Sequence, residues 1–286
     1  MNSIALAKSY VPMLDEVYKA SSLTSVLDGA NELCVQGANA NELIIPMLSM
    51  QGLGNYSRNG GYAEGDVTMT NATVKCGFDR GRMFSVDNMD NAETAGLAFG
   101  RLAGEFIRTK VVPELDAYRF AQYASKTGVG SATGAVADGA AVIKALRAAL
   151  NKMDEAEVPP EERYLFILPS LLALIEDMDT SSSREVLTNF AGIIKVPQSR
   201  FNTAITQKDG TSADQLDGGY TASGKKLHFM IVHKPAVIQF EKHVAPKIIT
   251  PDANQTADAW KYGYRNVGVA DVYSNKLLGV YFHSEA

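Results

Sequence analysis

The sequence predicts an α+β fold organised around one long helix, and three observations predict it. Ala72, Val74, Cys76 and Phe78 alternate with Asn71, Thr73, Lys75 and Gly77, a period-two strand pattern that runs toward a helical one. In the helical pattern Phe99, Leu102, Ala103, Phe106, Ile107, Val111, Leu115 and Tyr118 recur at three- and four-residue spacing, one apolar stripe along a helix. Beyond residue 126 strand candidates alternate with helix candidates, the signature of a mixed α/β domain.

Taken in order, residues 1–40 carry short apolar groups (Ile4, Leu6, Leu14, Val17, Leu23, Leu27) among serines and threonines. Pro12 suits the first position of a short helix, and the SSLTS run at 21–25 interrupts it. With too little apolar surface for a core, this segment reads as an arm lying on another part of the chain or on a neighbour. Residues 42–47 and 67–74 suit strands, with Pro46 favouring an edge. The stretch between them, residues 49–66, has five glycines and two tyrosines, a long insertion without a core of its own.

Asp90 and Glu93 have capping-box spacing at the start of the long helix. From Asn91 to Ala124 that helix would span roughly 50 Å, with a bend or break at Pro113, which has no N–H to donate. Gly96, Gly100 and Gly104 stack on one of its faces, each costing about 1 kcal/mol relative to alanine. Either the bare backbone admits another segment at close range, or the glycines are simply tolerated in a well-packed helix.

The segment 126–134 reads as a flexible crossing, Asp138 to Glu155 as a second helix, Arg163 to Pro169 as a buried strand, and Ser170 as the cap of a third helix. Further strands are expected at 192–196 and 226–233, around a polar stretch with turns at Asp209-Gly210 and at 217–219. Residues 237–249 look extended and 252–260 like a short helix capped by Asp252. Residues 264–282 look like strands joined at Ser274-Asn275.

Composition narrows function. Hydrophobic content of 46% and charged content of 21% are those of a folded protein. A net charge of −5 argues against a broad phosphate-binding face. Cys34 and Cys76 lack metal or redox spacing, the N-terminus has no secretory signal pattern, and no apolar run approaches the roughly 20 residues needed to cross a bilayer. Residence in a reducing cytoplasm, away from membranes, is the expectation.

Searches for chemistry return weak signals. GYTASGK at 219–225 fits the P-loop skeleton, but the magnesium-ligand position is Lys226 and a strand-like KLHFMIV follows where a helix is required, so a polar hairpin tip is the better reading. GVGSATG at 128–134 has the wrong spacing for a dinucleotide loop. His228 and His233, five apart, fall on opposite faces of a strand, and His243 and His283 complete no metal or catalytic motif. Asp87, Asp90 and Glu93 lack the dense pattern of a calcium loop. No catalytic residue, cofactor or metal is assigned.

The strand, the junction FDRGRMFSVDNMDNAETAG, and the long helix through EFIRTKVVPELDAYRF together resemble the major capsid protein of tailed bacteriophages, a fold shared with encapsulins. The segments at 193–201 and 251–283 also look like that family, so the resemblance covers most of the chain. It implies an N-terminal arm (1–40) and an extended β-hairpin loop (41–86) that projects onto an adjacent subunit. It further implies a peripheral domain (87–126 and 234–286) holding the spine helix, and an α/β axial domain (127–233). Tyr56, Arg58 and Tyr62 would then be subunit contacts, joined by the Gly96, Gly100 and Gly104 face, since tyrosine and arginine are enriched at interface hot spots.

The implied function is a self-assembling, non-enzymatic shell protein forming pentamers and hexamers around double-stranded DNA, with scaffolding, portal and decoration proteins as further partners. The chain begins almost at the arm, so scaffolding is expected from a removed segment or from a separate protein. It departs from the members that crosslink lysine to asparagine: residues 47–74 contain no lysine, and Arg58, permanently protonated, is no amine nucleophile. Two other readings stand beside this one, an encapsulin-like compartment and an α/β enzyme using the 128–134 or 219–225 loop.

Overall fold

A computed structural model describes residues 22–29, 35–36, 42–93, 97–178 and 180–286. The chain divides into two compact units, Ala30–Gly77 and the remainder.

The small unit is an antiparallel sheet of β1 (Val35–Gln36), β2 (Glu42–Met50) and β3 (Val67–Lys75), in that order. The β2–β3 register runs unbroken from Glu42 opposite Lys75 to Met50 opposite Val67. Pro46 lies two residues past the last β2 residue that pairs with the described part of β1, Ile44.

In the large unit β4 (Phe78–Asp87) leads into α1 (Asn88–Glu93). The cap is Asp87, whose carboxylate accepts from the Met89 N–H at 2.8 Å. This corrects the Asp90 expectation: Asp90 lies inside the first turn, where its own N–H is among the groups needing an acceptor. After α2 (Leu97–Phe106) come a π-helical turn, Ile107–Val111, and α3 (Val112–Ser125). The break expected at Pro113 is therefore a π turn. The Val112 N–H reaches back five residues to the Ile107 carbonyl, so the ladder is already shifted where Pro113 cannot donate.

The crossing at 126–134 is not flexible coil, because Gly130–Thr133 forms β5. A Cβ on Gly130 would sit 2.6 Å from the Tyr281 ring, so only glycine lets the two strands approach. α4 (Gly139–Glu155) starts where Asp138 accepts from Ala141 N–H at 2.7 Å and buries Val142, Ile143, Leu146, Ala149, Leu150 and Met153, as their spacing predicts. Next come β6 (Arg163–Ile167) and α5 (Pro169–Glu176). Ser170 is not the α5 cap; Pro169 occupies the first position, where no N–H needs a partner. α6 (Ser181–Thr188) opens on a capping box of Thr180 and Ser183.

The rest of the chain is strand: β7 (Gly192–Lys195), β8 (Ile205–Gln207), β9 (Tyr220–Ala222), β10 (Leu227–His233), β11 (Val237–Ile249), β12 (Ala259–Val272) and β13 (Val280–Ser284). The helix expected over 252–260 is only a 3-10 turn, Pro251–Ala253. β12 is already paired with β4 from Ala259 onward, and a strand held on both edges outcompetes one turn of helix.

Five strands form one sheet in the order β5-β13-β10-β6-β7, three form another in the order β11-β12-β4, and β8 pairs with β9. Phe78–Asp87 thus belongs to the three-stranded sheet and the last strand, Val280–Ser284, to the five-stranded one. The long helix serves both. Phe106 meets Phe84 and Tyr264 of the three-stranded sheet, with ring centroids 4.8 and 6.2 Å away, and Phe120 meets Phe166 and Phe201 at 5.1 and 5.0 Å. Edge-to-face pairs of this kind add about 0.5–1.5 kcal/mol each beyond area burial.

Candidate functional site

The hairpin carries its chemistry on one face. Leu48 stands opposite Met69 and Met50 opposite Val67. Residues two apart share a face, so these four side chains form one apolar surface toward the tip, each 57–66% exposed. Behind it Ser49 faces Thr68. The tip is a closed polar loop: Gln51 N–H donates to the Asp66 carbonyl, Ser57 and Gly61 exchange backbone hydrogen bonds at 3.1 and 2.8 Å, and Gly61 takes φ +77°, a left-handed value that suits glycine.

Tyr56 and Tyr62 sit on this loop edge to face, 5.0 Å between centroids, yet remain 61% and 88% exposed. Leu53 is fully exposed and Arg58 is exposed beside them. Full burial of such side chains is worth roughly 1.5–3 kcal/mol apiece, and two-stranded ribbons are marginal in water, so the surface is built to be covered.

The glycine stripe is less informative. Gly96 lies outside the described residues, as do the surroundings of Gly100. At Gly104 a Cβ would meet nothing within 4 Å among the described residues.

A second constellation escaped sequence reading. Asp116, fully buried on α3, accepts from Ser22 Oγ (3.0 Å), Leu23 N–H (3.1 Å), Thr24 N–H (3.3 Å), Thr24 Oγ1 (2.7 Å) and Arg200 Nη1 (3.2 Å). One turn on, buried Arg119 donates to Thr24 Oγ1 at 2.8 Å and pairs with Asp28 and Glu241 at 3.6 Å. Gln239 donates to the Thr24 carbonyl and to Asp28, and accepts from Tyr123, whose phenol burial keeps protonated. The SSLTS segment is therefore a latch on the long helix. The available signal was Asp116 and Arg119, charges set three apart in an otherwise buried helix.

Neither loop weighed for nucleotides is a cradle. A Cβ on Gly224 would sit 2.4 Å from Ala204 N and Thr203 Oγ1, so that glycine serves packing. Residues 130–133 of the other loop form β5. The histidines do converge in one place: His228 Nδ1 lies 2.9 Å from His283 Nδ1, a pair in which one ring must donate and the other accept. Burial lowers both affinities for a proton; Glu285 opposes the effect at His228 and His228 adds to it at His283. Among the described residues no three of His, Cys, Asp and Glu gather as a metal site, and no helix is long and apolar enough to cross a membrane.

No protein-family model and no curated sequence matches the chain. Solved structures do. The capsid of the cyanophage P-SCSP1u is 13% identical, with a TM-score of 0.58 over 87% of this chain and 84% of that one. A structure from Gordonia phage Cozz is 11% identical, with a TM-score of 0.62 over 93% and 87%. The fold is that of a phage capsid subunit. A virus-like particle from Pyrococcus furiosus has the same capsid fold, at 11% identity and a TM-score of 0.56 over 94% and 95%. More than four-fifths of both chains match in each pair, so the capsid fold accounts for the chain as a whole rather than for one sheet of it.

Proposed function

We propose that this protein is the structural shell subunit of a tailed-phage capsid, assembling with itself into pentamers and hexamers that close around double-stranded DNA without reading its sequence. The observation that carries this reading is the capsid fold combined with a hairpin whose apolar face, Leu48, Met50, Val67 and Met69, stands exposed. Its role is structural rather than catalytic, its place the virion, and its assembly site the host cytoplasm. Scaffolding, portal and decoration proteins are its further partners.

In domain terms, the arm is 1–40 and the hairpin is the extended loop. β4, the long helix, β11 and β12 form the peripheral domain. The five-stranded sheet, including β13, with α4, α5 and α6 forms the axial domain. Tyr56, Arg58 and Tyr62 are the hairpin's contacts on a neighbouring subunit, and the Gly96, Gly100 and Gly104 face is a second contact. Without a lysine between residues 47 and 74, the shell is held by burial and not by crosslinks.

Deleting residues 51–65 and closing with a tight turn tests this. The subunit is expected to fold and shells to be absent in electron micrographs; normal shells would remove the hairpin's role. A wild-type protein that stays monomeric at every salt and pH would overturn the shell reading itself. The Pyrococcus furiosus particle favours a second reading, a compartment housing a cargo protein instead of a genome, and purified particles containing an enzyme would select it.

A further inference from the structure

Among the described residues, two features of the five-stranded-sheet region carry opposite charge and match each other. The first is the turn after α4. Residues 154–162, DEAEVPPEE, hold five carboxylates and no cation, and Asp154, Glu155, Glu157, Glu161 and Glu162 are all exposed. Among the described residues only Asp154 of these has an ion pair, with Arg163 at 2.7 Å.

This turn is rigid. The buried Arg163 guanidinium lies beneath it and donates to the Pro159 carbonyl at 2.9 Å and to that of Val158. The Glu162 carbonyl accepts from Lys234 N–H at 3.0 Å. Pro159 and Pro160 fix two φ angles, while Glu157 and Glu162 hold φ of +55° and +57°. Left-handed backbone is uncommon and strained for glutamate, so the fold tolerates strain to keep this acidic prong in one shape.

The second feature is a groove of about 610 Å³ between α4 and the α5–α6 turn. Ala140, Ile143, Ala148 and Met178 give it an apolar floor, and Lys144 and Arg147, three apart on α4, put two cations on it. Among the described residues Arg147 has a loose 4.0 Å pairing with Glu185, both exposed, which solvent screens.

Both features are carried by one helix, the groove beside its first half and the prong at its end. At about 1.5 Å per residue, Lys144 and Glu155 are some 16 Å apart along the axis, and the Arg163 clamp keeps the prong from folding back. Complementary surfaces fixed apart on one rigid body are satisfied head to tail, by successive copies around a ring.

We propose that the acidic prong of one subunit seats in the Lys144–Arg147 groove of the next. This rests on the shell reading, and it assigns a ring contact distinct from the hairpin.

Charge exchange tests it. Glu161→Lys with Glu162→Lys puts two cations of the prong against a basic groove; Lys144→Glu with Arg147→Glu sets an acidic prong against an acidic groove. Each variant is expected to need at least about tenfold more protein to reach half assembly, read by light scattering and electron microscopy. All four substitutions in one chain are expected to restore wild-type assembly, a rescue that misfolding would not give. A 1:1 mixture of the two variants is expected to rescue hexamers and not pentamers, because alternating charges close only an even ring. If wild type assembles and the two variants assemble equally well, or the fourfold variant is not rescued, the prong contact is wrong and the shell reading stands. If wild type forms no rings, both fall.

Discussion

The hairpin and the long helix meet the same requirement by opposite means. Around α3 the large apolar groups find their cover inside the chain: Phe120 is fully buried between Phe166 and Phe201, and even charged Asp116 and Arg119 are enclosed. On the hairpin the backbone is satisfied strand to strand, while the apolar side chains opposite one another are left in water. Hydrogen bonding thus fixes the shape of both regions, and only one of them gains its hydrophobic stabilisation on folding. The other leaves its apolar side chains exposed in the subunit.

The sharpest way to break this contrast is Phe120→Ala. It empties a site enclosed by two other rings, and the subunit is expected to lose about 3–5 kcal/mol, read from urea unfolding. A smaller effect comes from pH. The folded His228–His283 pair binds protons less readily than the unfolded chain, so its contribution is fully present above the ordinary histidine pKa of about 6.5. It is lost as pH falls through that value toward the lowered folded one. The urea midpoint is expected to drop between pH 7.5 and 5, and His283→Gln to flatten that slope; an unchanged slope would remove the pair from the account. The smallest effect belongs to Leu48→Ser with Met69→Ser. Subunit stability is expected to stay within about 0.5 kcal/mol, because neither side chain is buried, while shells fail to form. A loss as large as that of Phe120→Ala would mean that the hairpin face is covered within its own chain.

What the sequence disclosed follows the range of the interactions. The β2–β3 ribbon and α4 were legible because alternation and 3.6-residue spacing are written into neighbouring residues. β5 was not, since its partner β13 lies some 150 residues away and Gly130 looks like a linker until Tyr281 is seen against it. The 252–260 segment has local helix signals that lose to two flanking strands. Asp116 and Arg119 look like solvent-facing charges in a helical stripe, and their partners at Ser22 and Thr24 are more than 90 residues distant. His228 and His283 are 55 apart and share no motif. Tyr56, Arg58 and Tyr62, expected as subunit contacts, stand exposed on the tip, and the apolar face of the same hairpin is visible only once the register pairs Leu48 with Met69.

The latch bears on how force passes through this molecule. The chain leaves the large unit at Gly29 and re-enters it at Phe78, just after Gly77. The segment before the exit is tied to α3 by Asp116 and Arg119 and to β11 by Gln239, and the strand after the re-entry is laddered to β12 over its whole length. A pull on the small unit therefore reaches the large one through two anchors of different kind. One is a cluster of buried hydrogen bonds to α3 and β11, and the other is a row of backbone bonds along β4.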